Sequence, residues 1–233
     1  MKNPIWAYGL LTVPERRYDL FPITLKSLIE AGFHNPTLFV DGDSSCSEYE
    51  LFSLPVVTHN PPIRIVANWM TAAWQLLVCN PQATHFALFQ DDVLLCKGVR
   101  QYIEQGEYPK KAYLNLCNYK ENEELADGKK GWYPSNQKGR GAQALVFSRH
   151  SFAGLLGTNR IAERALCVKN GWRNIDGGVS LSANALGYTE LVHMPSLAEH
   201  IGTKSTIGNS FNRYPGPETF PGTAYNVFTG AHS

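Results

Sequence analysis

Two adjacent aspartates, Asp91 and Asp92, stand between two apolar runs, residues 86–89 and 93–95. An apolar run rich in aromatic residues and leucine is typical of a buried central strand. Two buried carboxylates are costly without a positive partner, so we expect the pair at the strand's carboxyl end, facing a crevice that can hold a divalent cation. Oxygen ligands of this kind suit Mg²⁺ or Mn²⁺. The alternative is a turn in which both aspartates cap the next helix.

Other polar residues follow the neighbouring predicted strands. Residues 12–17, Thr-Val-Pro-Glu-Arg-Arg, come after the first strand, and Asp41 comes after the second. A later segment, residues 195–206, offers His200 as a metal ligand and Lys204, Ser205 and Thr206 as anion-binding groups. The carboxyl ends of parallel strands share one edge of a sheet, so these groups are expected to converge there. A histidine that is simply a core or surface residue is the alternative for His200.

Strand and helix patterns alternate along the first two-thirds of the chain, which predicts an α/β fold with a parallel sheet. Apolar runs predict strands at 5–11, 37–40, 86–90, 142–147 and 188–193. Apolar residues at helical spacing predict helices at 16–31, 65–79, 97–105, 148–156, 160–170 and 177–186. We expect one domain at 1–207 and an irregular tail at 208–233, where glycine and proline are frequent.

Residues 118–141 are polar and rich in glycine and lysine, and they predict a long loop. Trp132 and Tyr133 in this loop could stack on an acceptor or anchor the loop to the core. Seven cations flank it and could form a basic face for phosphate contacts, with a solvated loop as the alternative. They are Lys110, Lys111, Lys129, Lys130, Lys138, Arg140 and Arg149.

The composition of the 233 residues is that of an ordinary globular protein with a formal net charge of +1, which indicates no polyanionic partner. No apolar run is long enough for a membrane span, and the first residues do not have a signal-peptide pattern. The five cysteines contain no Cys-x-x-Cys pair, so a disulfide framework and a zinc site are not expected. These features predict a cytoplasmic protein, of bacterial or phage origin.

The order of the polar segments resembles that of the metal-dependent glycosyltransferases of the GT-A fold, over residues 4–207. The resemblance rests on residues 12–17, on Phe-Val-Asp-Gly at 39–42, on Phe-Gln-Asp-Asp-Val at 89–93 and on Pro-Ser-Leu-Ala-Glu-His-Ile-Gly at 195–202. The last string looks like the C-terminal segment of several N-acetylglucosaminyltransferase-type enzymes. The sequence departs from the family at Gln90, where the family's acidic motif often has its first acid.

The resemblance implies a single-domain GT-A fold, with a Rossmann-like, mostly parallel central sheet flanked by helices. It also implies transfer of a sugar from a nucleotide-diphospho-sugar, with Mn²⁺ or Mg²⁺ held by Asp92 and His200. A UDP-sugar is the expected donor, because the likeness is strongest to UDP-sugar enzymes. The donor-binding residues that it implies are Thr12, Val13, Pro14, Arg16, Asp41, Asp91, Lys204 and Ser205.

Asp176 is the candidate catalytic base for an inverting reaction, since in the family that base begins a helix some way after the metal motif. Asp176 precedes the predicted helix 177–186, so a helix cap is the alternative, and both roles can coexist. The segment 139–143, Gly-Arg-Gly-Ala-Gln, resembles the family's glycine loop at the donor sugar, with a simple turn as its alternative.

The acceptor could be a glycan, a small molecule or a hydroxymethylated base in phage DNA. A metal-dependent nucleotidyltransferase is a second possible class, but it requires a glycine-rich phosphate loop after the first strand. Residues 11–17 contain no glycine. A third class is a non-catalytic module that binds a nucleotide or a glycan.

Overall fold

An eight-stranded sheet organises the residues that the computed structural model describes, which are 3–42, 45–166, 175–202 and 216–232. The strands of the described residues, in chain order, are β1 Trp6–Thr12, β2 Thr37–Asp41, β3 Val56–His59, β4 His85–Gln90, β5 Val93–Leu95, β6 Ala112–Asn115, β7 Gly131–Pro134, β8 Ala144–Ser148, β9 Thr189–Met194, β10 Ala198–His200, β11 Tyr225–Asn226 and β12 Ala231–His232.

The main sheet has the order β3-β2-β1-β4-β8-β6-β9-β7. Strands β1, β2, β3 and β4 are parallel to one another, and β6 and β9 run in the same direction. Only β7 and β8 run in the opposite direction within this sheet. The predicted α/β fold with a mostly parallel central sheet is therefore confirmed.

Seven α-helices lie in the described residues: α1 Leu20–Glu30, α2 Arg64–Cys79, α3 Val99–Gln105, α4 Lys120–Glu123, α5 Arg149–Leu156, α6 Arg160–Leu166 and α7 Ile175–Ala185. Neighbouring strand residues point to opposite faces, so Leu10 packs in one core cluster and Leu11 in another. The first cluster includes buried residues of α1 and α3, and the second includes those of α2, α5 and α7. The sheet thus has helices on both faces.

Sheet topology brings the polar segments to one edge. Strands β1, β2 and β4 end there, at Thr12, Asp41 and Gln90. Because β8 is antiparallel to β4, the residues before β8 lie at the same edge, and Gln90 N–H donates to the Gln143 carbonyl at 2.8 Å. The predicted convergence of the strand ends is confirmed for these residues.

The prediction of a loop at 118–141 is wrong. This segment contains α4, a short 3-10 helix at Glu124–Ala126 and β7, an edge strand that pairs with β9. Trp132 lies against the rings of Tyr102, Tyr108 and His193. The Tyr133 hydroxyl donates to the Asn122 carbonyl at 2.8 Å. These contacts support the core-anchoring alternative for both aromatic residues.

Residues 216–232 of the predicted irregular tail contain the short hairpin β11–β12. The Tyr225 carbonyl accepts from Lys97 N–H at 2.9 Å, and Glu123 accepts from the N–H groups of Glu218 and Thr219. The described part of the tail is therefore bonded to the sheet domain. The domain boundary at residue 207 falls outside the described residues and stays a prediction.

Buried His193 makes stability depend on pH. Its Nδ1 lies 2.7 Å from the Pro195 carbonyl oxygen and its Nε2 lies 2.8 Å from the Tyr102 hydroxyl. Burial lowers the pKa of His193 and the Pro195 contact opposes this. The unfolded chain therefore binds the proton more readily, so this stability is complete above the ordinary histidine pKa of about 6.5 and is lost as pH falls below it.

We expect the free energy of unfolding to fall by about 1 kcal/mol more in the wild type than in His193→Gln between about pH 7.5 and about 5.5. Urea unfolding at several pH values measures the difference. The contributions of the other titrating groups cancel because they are the same in the wild type and in His193→Gln. His150→Gln, which replaces an exposed histidine, is the control. Equal pH slopes in the wild type and His193→Gln would contradict the prediction.

Candidate active site

Asp91 and Asp92 form the turn between β4 and β5, and both are buried. The Thr12 hydroxyl donates to Asp91 Oδ2 at 2.5 Å, and the Thr24 hydroxyl donates to the Asp91 carbonyl at 2.8 Å. The next helix, α3, begins at Val99, after β5 has intervened. The strand-end prediction is confirmed, and the alternative that the aspartates cap the following helix is wrong.

Arg16 lies on both carboxylates. Its Nη1 is 2.6 Å from Asp91 Oδ1 and 2.6 Å from Asp92 Oδ2, and its side chain is 12% exposed. Arg16 ends a 3-10 helix, Pro14–Arg16, directly after β1. The helix predicted from residue 16 begins instead at Leu20, where the Asp19 side chain accepts from the Leu20 N–H. The guanidinium thus offsets the cost of burying two adjacent acids.

His200 reaches Asp92 through a small second sheet. Strand β10 pairs antiparallel with β5, which sets His200 opposite Val93. His200 Nε2 lies 3.1 Å from Asp92 Oδ2, and the Ile201 N–H donates to the Asp92 carbonyl at 2.8 Å. The structure therefore brings His200 to the acid pair, as the sequence predicts.

Gly202 leaves open the space beside the Asp92–His200 pair. A Cβ at this position would come within 2.6 Å of Asp92 Oδ2 and within 2.8 Å of His200 Nε2. Residue 202 belongs to the segment that carries the family resemblance, but the sequence alone assigns it no role. The close approach of its backbone to both side chains explains why a glycine stands there.

The two acids differ in proton affinity. Burial raises the pKa of Asp91 to about 6, although Arg16 opposes this. Burial also raises the pKa of Asp92, but the contacts with His200 and Arg16 outweigh burial, so the pKa of Asp92 is lowered. For His200 burial lowers the pKa, but Asp92 outweighs it and the pKa is raised. Without a metal, Asp92 and His200 therefore favour their charged forms while Asp91 is the weaker acid, and a metal ligated by His200 would have to displace the imidazolium proton.

The acid pair fits a divalent metal that has few protein ligands. Asp92 Oδ1 is buried without a hydrogen-bond partner, which is costly for a carboxylate oxygen unless a cation contacts it. Among the described residues no group of three or more His, Cys, Asp or Glu side chains could hold a metal. Mg²⁺ commonly takes only one or two carboxylates and completes its shell with water and substrate phosphate. The Asp92 carboxylate agrees with this mode, whereas the imidazole of His200 is a nitrogen donor, which transition metals accept more readily than Mg²⁺ does.

Asp176 lies in the first turn of α7, which begins at Ile175 and not after Asp176 as predicted. Its carboxylate accepts from the Ala142 N–H at 3.0 Å and from the Gly141 N–H at 3.2 Å. Burial raises the pKa of Asp176, and these two N–H groups oppose the shift. The structure thus joins the predicted base to the predicted glycine loop.

Asp41 caps the start of α2. Its Oδ1 accepts from the Ile63 N–H at 2.7 Å, and its Oδ2 accepts from the Arg64 N–H at 2.8 Å. Both carboxylate oxygens therefore already bond to the backbone, which leaves its donor-binding role as a prediction. Val13 and Pro14 lie in the turn after β1, and a Cβ on Gly42 would meet Pro14 Cδ at 2.8 Å. Lys204 and Ser205 lie outside the described residues.

The seven cations around residues 118–141 do not form one face. Arg149 Nη1 donates to the carbonyls of Asn80 and Ala83, beside the amino end of β4 and therefore opposite the acid pair. Arg140, at the glycine loop, pairs with Glu121. Arg149 and Arg140 thus lie at different edges of the sheet and do not share one face.

Comparison with solved structures finds chains of similar fold at low sequence identity. The complex of GalNAc-T7 with UDP, GalNAc and Mn²⁺ has a TM-score of 0.60 at 11% identity, over 88% of this chain and 45% of that chain. Drosophila β-1,4-galactosyltransferase 7, with manganese, UDP-Gal and xylobiose, has a TM-score of 0.46 at 13% identity, over 89% of this chain and 77% of that one. A nucleotidyl transferase from Methanothermobacter has a TM-score of 0.47 at 13% identity, over 79% and 85%.

The chain thus has a GT-A-type fold, and it spans less than half the length of GalNAc-T7. At these identities the likeness concerns the fold and does not single out an N-acetylglucosaminyltransferase type. The sequence matches no protein-family model and no curated protein. Within the described ranges, no helix combines the length and the hydropathy required to cross a membrane.

Proposed function

We propose that this protein is a glycosyltransferase that moves a sugar from a UDP-sugar to an acceptor hydroxyl, with a divalent metal on the diphosphate. The observation that carries the proposal is the buried, unbonded Asp92 Oδ1 beside His200, at the carboxyl edge of a GT-A-type sheet. Open α/β sheets bind their ligands at this edge. The UDP and Mn²⁺ in the GalNAc-T7 complex support the choice of nucleotide and metal.

The acid pair and Arg16 would act on the leaving group. Breaking the anomeric C–O bond passes through an oxocarbenium-like state and places negative charge on the departing diphosphate. Asp92 and His200 would hold a divalent metal, which would supply a Lewis acid for that charge. Arg16, which lies between the two carboxylates, is placed to hold the diphosphate near them. Thr12 fixes Asp91 and thereby the geometry of the pair.

Asp176 would take the proton of the acceptor hydroxyl in an inverting reaction. Its raised pKa suits a general base, because proton affinity near the working pH favours transfer. The two backbone N–H groups hold both of its oxygens and fix its direction. The acceptor is proposed to be a carbohydrate or another small hydroxyl compound rather than duplex DNA, because Arg149 and Arg140, two of the cations of the predicted basic face, lie at different edges of the sheet.

A thermal-shift panel tests the donor site. It compares UDP, GDP, ADP, UTP and the matching nucleotide sugars, each with Mn²⁺, with Mg²⁺ and with EDTA. We expect UDP and a UDP-sugar to raise Tm by about 5–10 °C at saturation, and only with a metal present, since binding to the folded state alone stabilises it. No shift with any diphosphate would overturn the proposal.

Product analysis separates the other classes. Release of UDP from a UDP-sugar in the presence of an acceptor extract supports transfer. Release of pyrophosphate from UTP and a sugar 1-phosphate would instead identify a nucleotidyltransferase. Metal-dependent UDP binding without sugar release from any common nucleotide sugar, with or without acceptors, would identify a binding module.

A further inference from the structure

A buried asparagine, Asn115, joins the glycine loop at Arg140 to Glu190 of strand β9. Asn115, at the carboxyl end of β6, is 1% exposed. Its Nδ2 donates to the Arg140 carbonyl at 2.9 Å and to Glu190 Oε1 at 3.0 Å. Its Oδ1 accepts from the Cys117 N–H at 3.2 Å. The side-chain amide thus uses both of its N–H bonds, and its partners define its orientation.

The carbonyl that Asn115 holds belongs to the Arg140–Gly141 peptide bond. The N–H of that same peptide group donates to Asp176 Oδ2 at 3.2 Å. In a planar trans peptide the C=O and N–H bonds point in opposite directions. When Asn115 fixes the carbonyl on one side, it therefore aims the N–H at Asp176 on the other side.

Glu190 anchors the other end of this chain of hydrogen bonds. It lies on β9, is 3% exposed, and its Oε2 accepts from the Ser135 hydroxyl at 2.5 Å. Its backbone bonds to the Gln137 side chain, since Gln137 Nε2 donates to the Glu190 carbonyl and Gln137 Oε1 accepts from the Glu190 N–H, both at 2.9 Å. The segment that precedes the glycine loop is therefore fixed to β9.

The glycine loop itself packs directly on α7. A Cβ at Gly139, whose φ is +66°, would lie 2.2 Å from Ser180 Cβ, and the Gln137 carbonyl accepts from the Ser180 hydroxyl at 3.1 Å. Small movements of residues 139–142 would therefore change the position of Asp176 relative to the acid pair.

We propose that Asn115 is a positioning residue for Asp176, which acts through the Arg140–Gly141 peptide and is itself oriented by Glu190. This inference rests on the proposed function for its catalytic consequence. Its structural part, that Asn115 orders the Gly141 and Ala142 N–H groups against Asp176, does not depend on which reaction is catalysed.

Asn115→Ala tests the proposal. We expect kcat to fall by about 10- to 100-fold, because small misplacements of reacting groups cost rates of this order. The affinity for UDP with Mn²⁺ should change less than about twofold, since Asn115 contacts neither Asp92 nor His200. Amide hydrogen exchange over residues 139–143 should become faster, and this readout requires no activity.

Two further variants sharpen the comparison. Glu190→Gln keeps an Oε1 acceptor for Asn115, so it should retain most of the rate that Asn115→Ala loses. Asn118→Ala is the matched control, because Asn118 is another buried asparagine whose Nδ2 bonds to the Tyr133 hydroxyl and the His193 carbonyl and not to the glycine loop. If Asn115→Ala does not fold, Asn115→Ser replaces it, because serine keeps one hydroxyl donor on a shorter side chain. The same decrease in kcat and the same faster exchange over residues 139–143 are expected.

The outcomes separate the two levels of inference. Unchanged exchange over residues 139–143 in Asn115→Ala overturns the positioning role. The positioning role is also overturned if Asn115→Ala and Asn118→Ala lose the same fraction of kcat and if, in each variant, that loss equals the loss of folded protein. If the wild type transfers no sugar at all, the proposed function fails, while the exchange experiment still decides whether Asn115 orders the loop.

Discussion

Asp176→Asn should lower kcat for sugar transfer by about 10²- to 10⁴-fold, the range that a general base contributes. The affinity for UDP with Mn²⁺ should stay within about twofold of the wild-type value. The reason is that Asp176 reaches the site from α7 and the glycine loop, whereas the proposed metal ligands come from the β4–β5 turn and β10. Steady-state kinetics and calorimetric titration with UDP measure the two quantities.

The substitution has one structural side effect that the controls must cover. An asparagine offers one acceptor oxygen where the aspartate offers two, so one of the two backbone N–H bonds is lost. Melting temperatures are therefore compared, and rates are measured well below Tm. Asp127→Asn, at an exposed aspartate, is the matched control and should behave as the wild type. Turnover by Asp176→Asn at the wild-type rate would remove Asp176 from the mechanism.

Asp92→Asn should weaken metal-dependent UDP binding by more than about 100-fold, since even residues that only support a metal ligand commonly contribute 10- to 100-fold. The change removes the charge beside His200 and half of the ion pair with Arg16. The UDP-dependent shift in Tm should disappear at concentrations that saturate the wild type. Calorimetric titration with UDP in excess Mn²⁺ gives the affinity.

Asp91→Asn is the matched comparison, because it removes the same charge from the adjacent position. The two carboxylate oxygens of Asp91 are already bonded to Thr12 and Arg16, whereas Asp92 keeps one oxygen without a hydrogen bond. We therefore expect a smaller loss of affinity in Asp91→Asn. If Asp91→Asn loses metal-dependent UDP binding and Asp92→Asn keeps it, the metal ligand is Asp91 and not Asp92.

The sequence predicts the strand ends of this site well, for a physical reason. Central buried strands are typically uninterrupted apolar runs, so a carboxylate that follows such a run is expected at the end of the strand. Asp91, Asp92 and the residues after β1 are found by this rule. Asn115 obeys the same rule, at the end of the apolar run of β6, but a single neutral polar residue gives a weaker signal than two charges.

The parts that the sequence does not predict depend on partners distant in the chain. The apolar residues at 144–147 predict β8 as a strand, but they do not predict that it runs antiparallel to β4. That direction brings Gly141 and Ala142 to Asp176. Strand β7 has only four residues, Gly131–Pro134, and it begins with glycine, ends with proline and lies within a polar segment, so the sequence suggests a loop there. The three-residue strands β5 and β10, which bring His200 to Asp92, are too short for a periodic signal.

The ion pairs of Arg16 have a consequence for how this protein depends on metal supply. In many small metalloproteins the metal-binding free energy is part of the folding free energy, and chelators then unfold the protein. Here one guanidinium already lies between both carboxylates, and an imidazole lies against the second. The charge of the cluster is thus balanced from within the chain. We therefore expect the polypeptide to fold without a bound metal and to keep its fold when a metal is removed.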